Sequence, residues 1–267
     1  MHRLWPQAVA DYTTHLRAGG SPPTTIRLRR CHLLHAGAHL PSGPWSSSGE
    51  EITEWLASQS WAPETRRSYR ASLRSFYAWA VAAGRVDTDP MVMVPRVRPD
   101  THGARPAPEW ALDEAIGRAG ERCQLMIRLA AYQGLRRGEI CQVHTDDVLR
   151  GVAGWSLRVH GKGRKIRTIP LDPSLARALL ARGPGYVFPG QVEGHLSAGY
   201  VGVLMAQALP GAWTAHTLRH RFATRVYAGC GDMAAVQELL GHASIETTRR
   251  YVLLGDQAMR RALQFAA

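Results

Sequence analysis

Lysine is almost missing from this 267-residue chain. Of its 33 basic residues 31 are arginine, and the two lysines, Lys162 and Lys165, stand together in Gly161-Lys162-Gly163-Arg164-Lys165. GC-rich codon usage explains a general replacement of lysine by arginine, but not the survival of two lysines in one short segment. An arginine holds its proton at every accessible pH, whereas a lysine in a suitable environment releases it. A position that must act as an acid therefore cannot drift to arginine, and this segment is marked out for proton transfer.

Other absences narrow the class. The four cysteines, Cys31, Cys123, Cys141 and Cys230, form no Cys-x-x-Cys pair. That argues against a zinc site, and the scattered cysteines read as reduced, half-buried core thiols. Paired carboxylates and His-rich ligand spacings are lacking too, so neither a cofactor nor a metal is indicated. No stretch reaches the roughly 18 apolar residues of a membrane span. Met1-His2-Arg3-Leu4-Trp5-Pro6 leads into no apolar run, so no signal peptide and no membrane partner are expected, and the expected location is the cytosol.

What is present is positive charge, a formal +12 at neutral pH. Up to Arg105 there are 13 basic against 8 acidic residues, and 20 against 13 afterwards. Charge spread over both halves suits a protein that closes on a polyanion from two sides, where a basic tail would concentrate it at one end.

The fold class expected is mostly α. Residues 1–94 read as four helices. The first starts at Pro6 with Val9, Tyr12 and Leu16 on one face, and the second runs from Ser21-Pro22-Pro23 through Leu34. Ser48 and Glu51 suggest a capping box for the third, which carries Ile52, Trp55 and Leu56. The fourth has Pro63 in its first turn, Gly84 at its end, and a stripe of Tyr69, Leu73, Phe76, Tyr77 and Ala80. Arg66, Arg67, Arg70 and Arg74 fall mostly off that stripe and are candidates to face DNA phosphates. Residues 95–108, aperiodic and proline-rich, read as an extended linker. Residues 109–267 read as an α+β domain. Helices are expected near Glu109–Arg118, Glu121–Gln133, Pro173–Arg182, Ser197–Ala208, Thr217–Ala228, Met233–Leu240 and Ile245–Leu253, with a last one over Asp256–Phe265. Trp155–His160 and Ile166–Ile169 alternate as the strands of a small β-hairpin around the lysines.

The chemistry concentrates in His216-Thr217-Leu218-Arg219-His220 and in Leu239-Leu240-Gly241-His242, with Tyr251 nine residues on inside Thr247-Thr248-Arg249-Arg250-Tyr251-Val252. A His-x-x-Arg pair, a Gly-His turn and a tyrosine are parts with which a phosphodiester can be attacked without a metal. Together with Gly134-Leu135-Arg136 and Gly161-Lys162-Gly163 they resemble, in order and over nearly the whole chain, the tyrosine recombinases of the phage integrase family.

The resemblance implies roles. Tyr251 would be the nucleophile that stays attached to the DNA. Arg136 and Arg219 would hold non-bridging phosphate oxygens with their planar forks. His216 would manage the tyrosine proton, His242 would donate to the phosphate, and Lys162 would protonate the departing 5′ oxygen. Glu139 would orient Arg136, Lys165 would touch DNA, Arg137 reads as surface or DNA-backbone contact, and His220 as packing. The fold implied is a SAM-like core-binding domain over residues 1–94 and a catalytic domain over residues 109–267. The partners implied are double-stranded DNA attachment sites, a homotetramer on DNA and an accessory directionality factor, in a bacterial host cytosol at the nucleoid. The reaction would pass through a 3′-phosphotyrosine link and a Holliday junction, with Met259, Leu263 and Phe265 docking on a neighbouring protomer.

A phage-type integrase is the expected role, and an Xer-like or mobile-element recombinase the neighbouring one. A type IB topoisomerase would share the chemistry, but the short core-binding region argues against it. A non-catalytic DNA-binding regulator would not need the intact residue set. No arm-binding domain is expected ahead of the first helices, and a short attachment site is expected with it. The closing Leu263-Gln264-Phe265-Ala266-Ala267 resembles the tags read by bacterial proteases.

Overall fold

The computed structural model describes residues 4–98, 105–161, 163 and 165–241. They fall into two compact units, Met1–Thr101 and His102–Ala267, each with a core of its own.

The first unit contains helices α1 (Leu4–Ala18), α2 (Pro23–His39), α3 (Gly49–Ser58) and α4 (Pro63–Ala82). Trp5, Tyr12, Leu33, Ile52, Leu73, Phe76 and Tyr77 fill the space between them and are each at most 1% exposed. Phe76 meets the Tyr12 ring edge-on at 5.5 Å and Trp5 at 5.6 Å. α1 and α2 can approach because position 37 is glycine: a Cβ there would stand 2.4 Å from the Trp5 ring. Only half of the expected capping box at α3 forms. Ser48 Oγ accepts from the Glu51 N–H at 3.1 Å, while the Glu51 carboxylate accepts from the Ser42 N–H at 3.2 Å.

The second unit is built around α6 (Glu121–Gln133), whose Leu125, Met126, Ile127, Leu129, Ala130 and Ala131 are all buried. A helix apolar nearly all round must be enclosed, and α5 (Glu109–Arg118), α7 (Arg137–Ile140), α8 (Pro173–Leu180), α9 (Ala198–Ala208) and α10 (Ala215–Cys230) all pack on it. α11 (Met233–Leu240) leans on α10 through Val236 and Leu240 against Phe222 and Ala223. The sheet is antiparallel, in the order β1 (Val148–Gly151), β2 (Gly154–His160), β3 (Ile166–Pro170). β2 and β3 are the hairpin that alternation predicts. β1 was not expected, since of its four residues only Val148 is buried and no alternation can show. Its register places Val148 opposite Leu157, which in turn faces Ile169, so one apolar layer crosses all three strands. A fourth strand, β4 (Pro189–Val192), lies outside this sheet.

One expectation needs correction. Cys123 is half-buried and Cys141 buried, but Cys31 and Cys230 are exposed. Position 31 falls off the Ile26, Leu33 and Ala36 stripe of α2, and Cys230 is the last residue of α10. The helices expected over 245–253 and 256–265, with the Met259, Leu263 and Phe265 face and the Ala-Ala end, lie outside the described residues. Among the described residues no helix is long and apolar enough to cross a membrane.

Candidate active site

The Gly-Leu-Arg segment is a helix stop followed by a turn outward. Gly134 ends α6 in the left-handed region at φ +64°, and a Cβ there would lie 2.4 Å from the Phe222 ring. Leu135 is fully buried as an anchor, and Arg136 is the extended N-cap residue of α7. Glu139 then sits one turn into α7, and its carboxylate accepts from the Arg136 backbone N–H at 2.9 Å and from Arg136 Nη1 at 2.8 Å. Arg136 keeps 39% of its side chain exposed while Glu139 keeps 3%.

Arg219 reaches the same place from the first half of α10, one turn after His216. Its side chain is 1% exposed. Nη1 donates to the Gly134 carbonyl, and Nη2 donates to the Leu240 carbonyl at 2.7 Å. The two terminal nitrogens are thus directed at backbone oxygens, and Arg219 brings its charge to the floor of the site while Arg136 presents the more open fork. Arg136 Nη1 also lies 3.3 Å from the Leu240 carbonyl. The last carbonyls of a helix lack intrahelical partners and sit at the negative end of its dipole, so the end of α11 is a natural seat for guanidinium groups. Gly241, left-handed at φ +63°, closes the helix there.

Arg136, Arg137, His216 and Arg219 line one cleft of about 520 Å³, walled by Ala198, Gly202 and Ala206 of α9. His216 is exposed to this cleft. Desolvation of its ring, and then the charges of Arg219, Arg137 and Arg136, hold its pKa below the ordinary histidine value. An imidazole kept neutral can accept a proton. The buried His220 stacks edge-on against it at 4.5 Å, in keeping with packing. Arg137 enters the cleft as well, its side chain lying along Gly202, where a Cβ would stand 2.5 Å from its Nη1.

Sequence reasoning missed Arg167. It donates to both Glu139 oxygens, from Nη1 at 2.8 Å and Nη2 at 3.0 Å, and from Nε to the Leu239 carbonyl at 3.0 Å. The signal was present in β3, where Arg167 shares a face with the buried Ile169 and pairs with the buried Val159, which makes it an arginine on the inward side of a strand. Burial would raise the Glu139 pKa, but the hydrogen bonds and charge of Arg167, the Arg136 N–H and the Arg219 charge together hold it below the usual glutamate value.

Lys162, His242 and Tyr251 lie outside the described residues. Lys165 is exposed, and its carbonyl accepts from the Gly161 N–H at 2.7 Å. In the first unit, Arg67 and Arg74 are exposed and line a hollow of about 540 Å³ with Arg70 and Arg96. Arg66 and Arg70 are half-buried and donate to the carbonyls of Gln59 and Val94, each at 2.8 Å. Arg66 does not line this hollow.

Residues 111–257 match the model of the phage integrase family. The chain is a tyrosine recombinase of that family. A relative, tyrosine recombinase XerC of Xanthomonas campestris pv. campestris, is 30% identical over 222 residues, covering 77% of this chain and 68% of its own length. Among solved structures, a lambda integrase dimer bound to a COC′ core site superposes with a TM-score of 0.73 at 20% identity, covering 92% of this chain and 76% of that one. A lambda integrase tetramer bound to a Holliday junction superposes with a TM-score of 0.70 at 20% identity, covering 89% and 77%. The recombinase thus has the fold of the lambda integrase core, a four-helix region followed by a catalytic domain with a small three-stranded sheet, and it breaks and rejoins DNA.

Proposed function

We propose that Arg136, His216 and Arg219, with Lys162, His242 and Tyr251, form one active site that exchanges strands between double-stranded DNA attachment sites. The observation that carries this reading is the cleft in which Arg136, His216 and Arg219 meet. The Tyr251 hydroxyl attacks the phosphorus, the bond from phosphorus to the 5′ oxygen breaks, and a 3′-phosphotyrosine remains. The phenolic proton passes to the neutral His216, and Lys162 protonates the leaving 5′ oxygen. Arg136, Arg219 and His242 stabilise the charge gathered on the non-bridging oxygens. Attack by the 5′ hydroxyl of the partner strand reverses each step, so no ATP is needed.

The first unit serves as the core-binding domain, with Arg67, Arg70 and Arg74 toward phosphate, and Lys165 adds a contact from the hairpin. Four protomers assemble on two sites and pass through a Holliday junction, with the segment ending in Met259, Leu263 and Phe265 packed on a neighbour and an accessory factor setting direction. The reaction takes place on DNA in a bacterial cytosol. We favour integration of the phage type. The similarity to XerC supports a second reading, an Xer-type recombinase.

The test is incubation with supercoiled plasmids carrying two attachment sites, selected by the protein from a randomised duplex pool. Recombinant joints are expected. Joining between separate plasmids supports integration, and joining within one plasmid supports the Xer-type reading. Relaxation without recombinants would instead mark a topoisomerase, and binding without cleavage a regulator.

A further inference from the structure

The Glu139 carboxylate is filled. Its Oε1 accepts from Arg136 Nη1 and Arg167 Nη1, both at 2.8 Å, and its Oε2 accepts from Arg167 Nη2 at 3.0 Å and the Arg136 N–H at 2.9 Å. A carboxylate offers about four lone-pair directions, and here all four are used. Arg219 Nη1, at 3.7 Å from Oε2, is close enough to feel the charge but too far for a hydrogen bond. Arg167 takes two of the four places in a bidentate pair, and the Arg136 side chain takes one.

We propose that Arg167 is a positioning residue for strand cleavage, acting through Glu139 and through the end of α11. By pairing bidentately with Glu139 it matches the carboxylate charge, so that Glu139 orients Arg136 without cancelling it, and the Arg136 charge stays available to the scissile phosphate. Without Arg167, the buried carboxylate would face Arg136 as its nearest cation and draw that fork inward. The Nε bond to Leu239 fixes the end of α11, from which the chain continues to His242 and Tyr251. Gly241 is part of the same device: a Cβ at this left-handed position would lie 2.9 Å from Arg167 Nη1 and 3.0 Å from its Cδ. Arg167 thereby joins β3, the start of α7 and the end of α11 at one point. The proposal rests on the assignment of Arg136 and Tyr251 given above.

The test is the rate of covalent adduct formation by the full-length protein at saturating concentration of a nicked duplex selected from a randomised pool by wild-type binding. Thermal melting of every variant is recorded beside it. Arg167→Gln is expected to slow adduct formation roughly 100-fold, the scale of a misplaced reacting group. Arg167→Lys keeps a charge but not the fork, and is expected to recover only part of the rate. The deciding variant is Arg167→Gln combined with Glu139→Gln. Removing the uncompensated carboxylate is expected to make it faster than Arg167→Gln alone at a temperature where melting shows both variants fully folded, so that the recovered rate is not recovered stability. A wild-type rate in Arg167→Gln, or a double variant no faster than the single one, overturns the proposal. If Arg167→Gln does not fold, Arg167→Lys carries the test, and a wild-type rate in it has the same meaning. Absence of any adduct with the wild-type protein overturns the site assignment instead.

Discussion

Arg219 donates through Nη2 to the Leu240 carbonyl at 2.7 Å, so a cation with 1% of its side chain exposed is clasped by the last residue of α11. Its Nη1 closes the clasp on the Gly134 carbonyl at the end of α6. Two helix ends and one guanidinium therefore form together. Arg219→Lys retains the charge but lacks the fork that spans both oxygens, so one of the two buried bonds is lost. We expect a stability loss of about 1–3 kcal/mol in urea unfolding together with a large fall in adduct formation. Unchanged unfolding would show that the clasp is not a structural element.

Glu139 is the carboxylate that the arginines of the site surround. Replacing it by alanine leaves buried guanidinium charge uncompensated, which typically destabilises by about 3–5 kcal/mol. The expected outcome is a lowered denaturant midpoint with the slope retained. A midpoint within error of wild type would mean that Arg136, Arg167 and Arg219 find other partners.

Parts of this site could be read directly from the chain. Gly134-Leu135-Arg136 was picked out by its resemblance to the family motif, and the fold gives each residue a local task as helix stop, apolar anchor and outward arginine. The same holds for His216 and Arg219, whose spacing puts them on one helical turn. Arg167 was not, because its partners Glu139 and Leu239 are brought to it only by the folding of β3 against α7 and α11. The helix pattern leaves Arg66 open for the related reason that an arginine off an apolar stripe can face solvent or fold back on the chain, and here it donates to the Gln59 carbonyl. The strand β1 is too short for a period, and its pairing with β2 decides it.

His216 gives a pH dependence whose direction is fixed. Folding holds its pKa below the ordinary value of about 6.5, so the unfolded chain takes up the proton first as pH falls. Its stability contribution is complete above about pH 6.5 and is lost as pH drops through the lowered folded value. Adduct formation should accordingly stay level in this limb down to about pH 6.5 and decline only below it, and His216→Gln should remove the limb. A decline already present between pH 8 and 7 that disappears in His216→Gln would contradict the lowered value.

The exposed arginines of the first unit should appear in the salt dependence of DNA binding. Each phosphate contact adds about 0.9 to the slope of log K against log salt, so Arg67→Ala and Arg74→Ala should each make the slope shallower by about 1. Arg66→Ala, which removes a backbone bond, should leave the slope in place and lower stability by about 1 kcal/mol. Fluorescence anisotropy over a salt series checks both. A slope change with Arg66 and none with Arg67 or Arg74 would reverse the assignment.

Tyr251 is expected to become covalently joined to DNA in a site made by Arg136, His216 and Arg219. The direct measurement is denaturing electrophoresis of the protein after incubation with a nicked attachment-site duplex, followed by mapping of the modified peptide. A wild-type adduct on the 3′ phosphate located at Tyr251, lost in Tyr251→Phe and strongly reduced in Arg136→Ala, is expected. An undiminished adduct in Tyr251→Phe would contradict it.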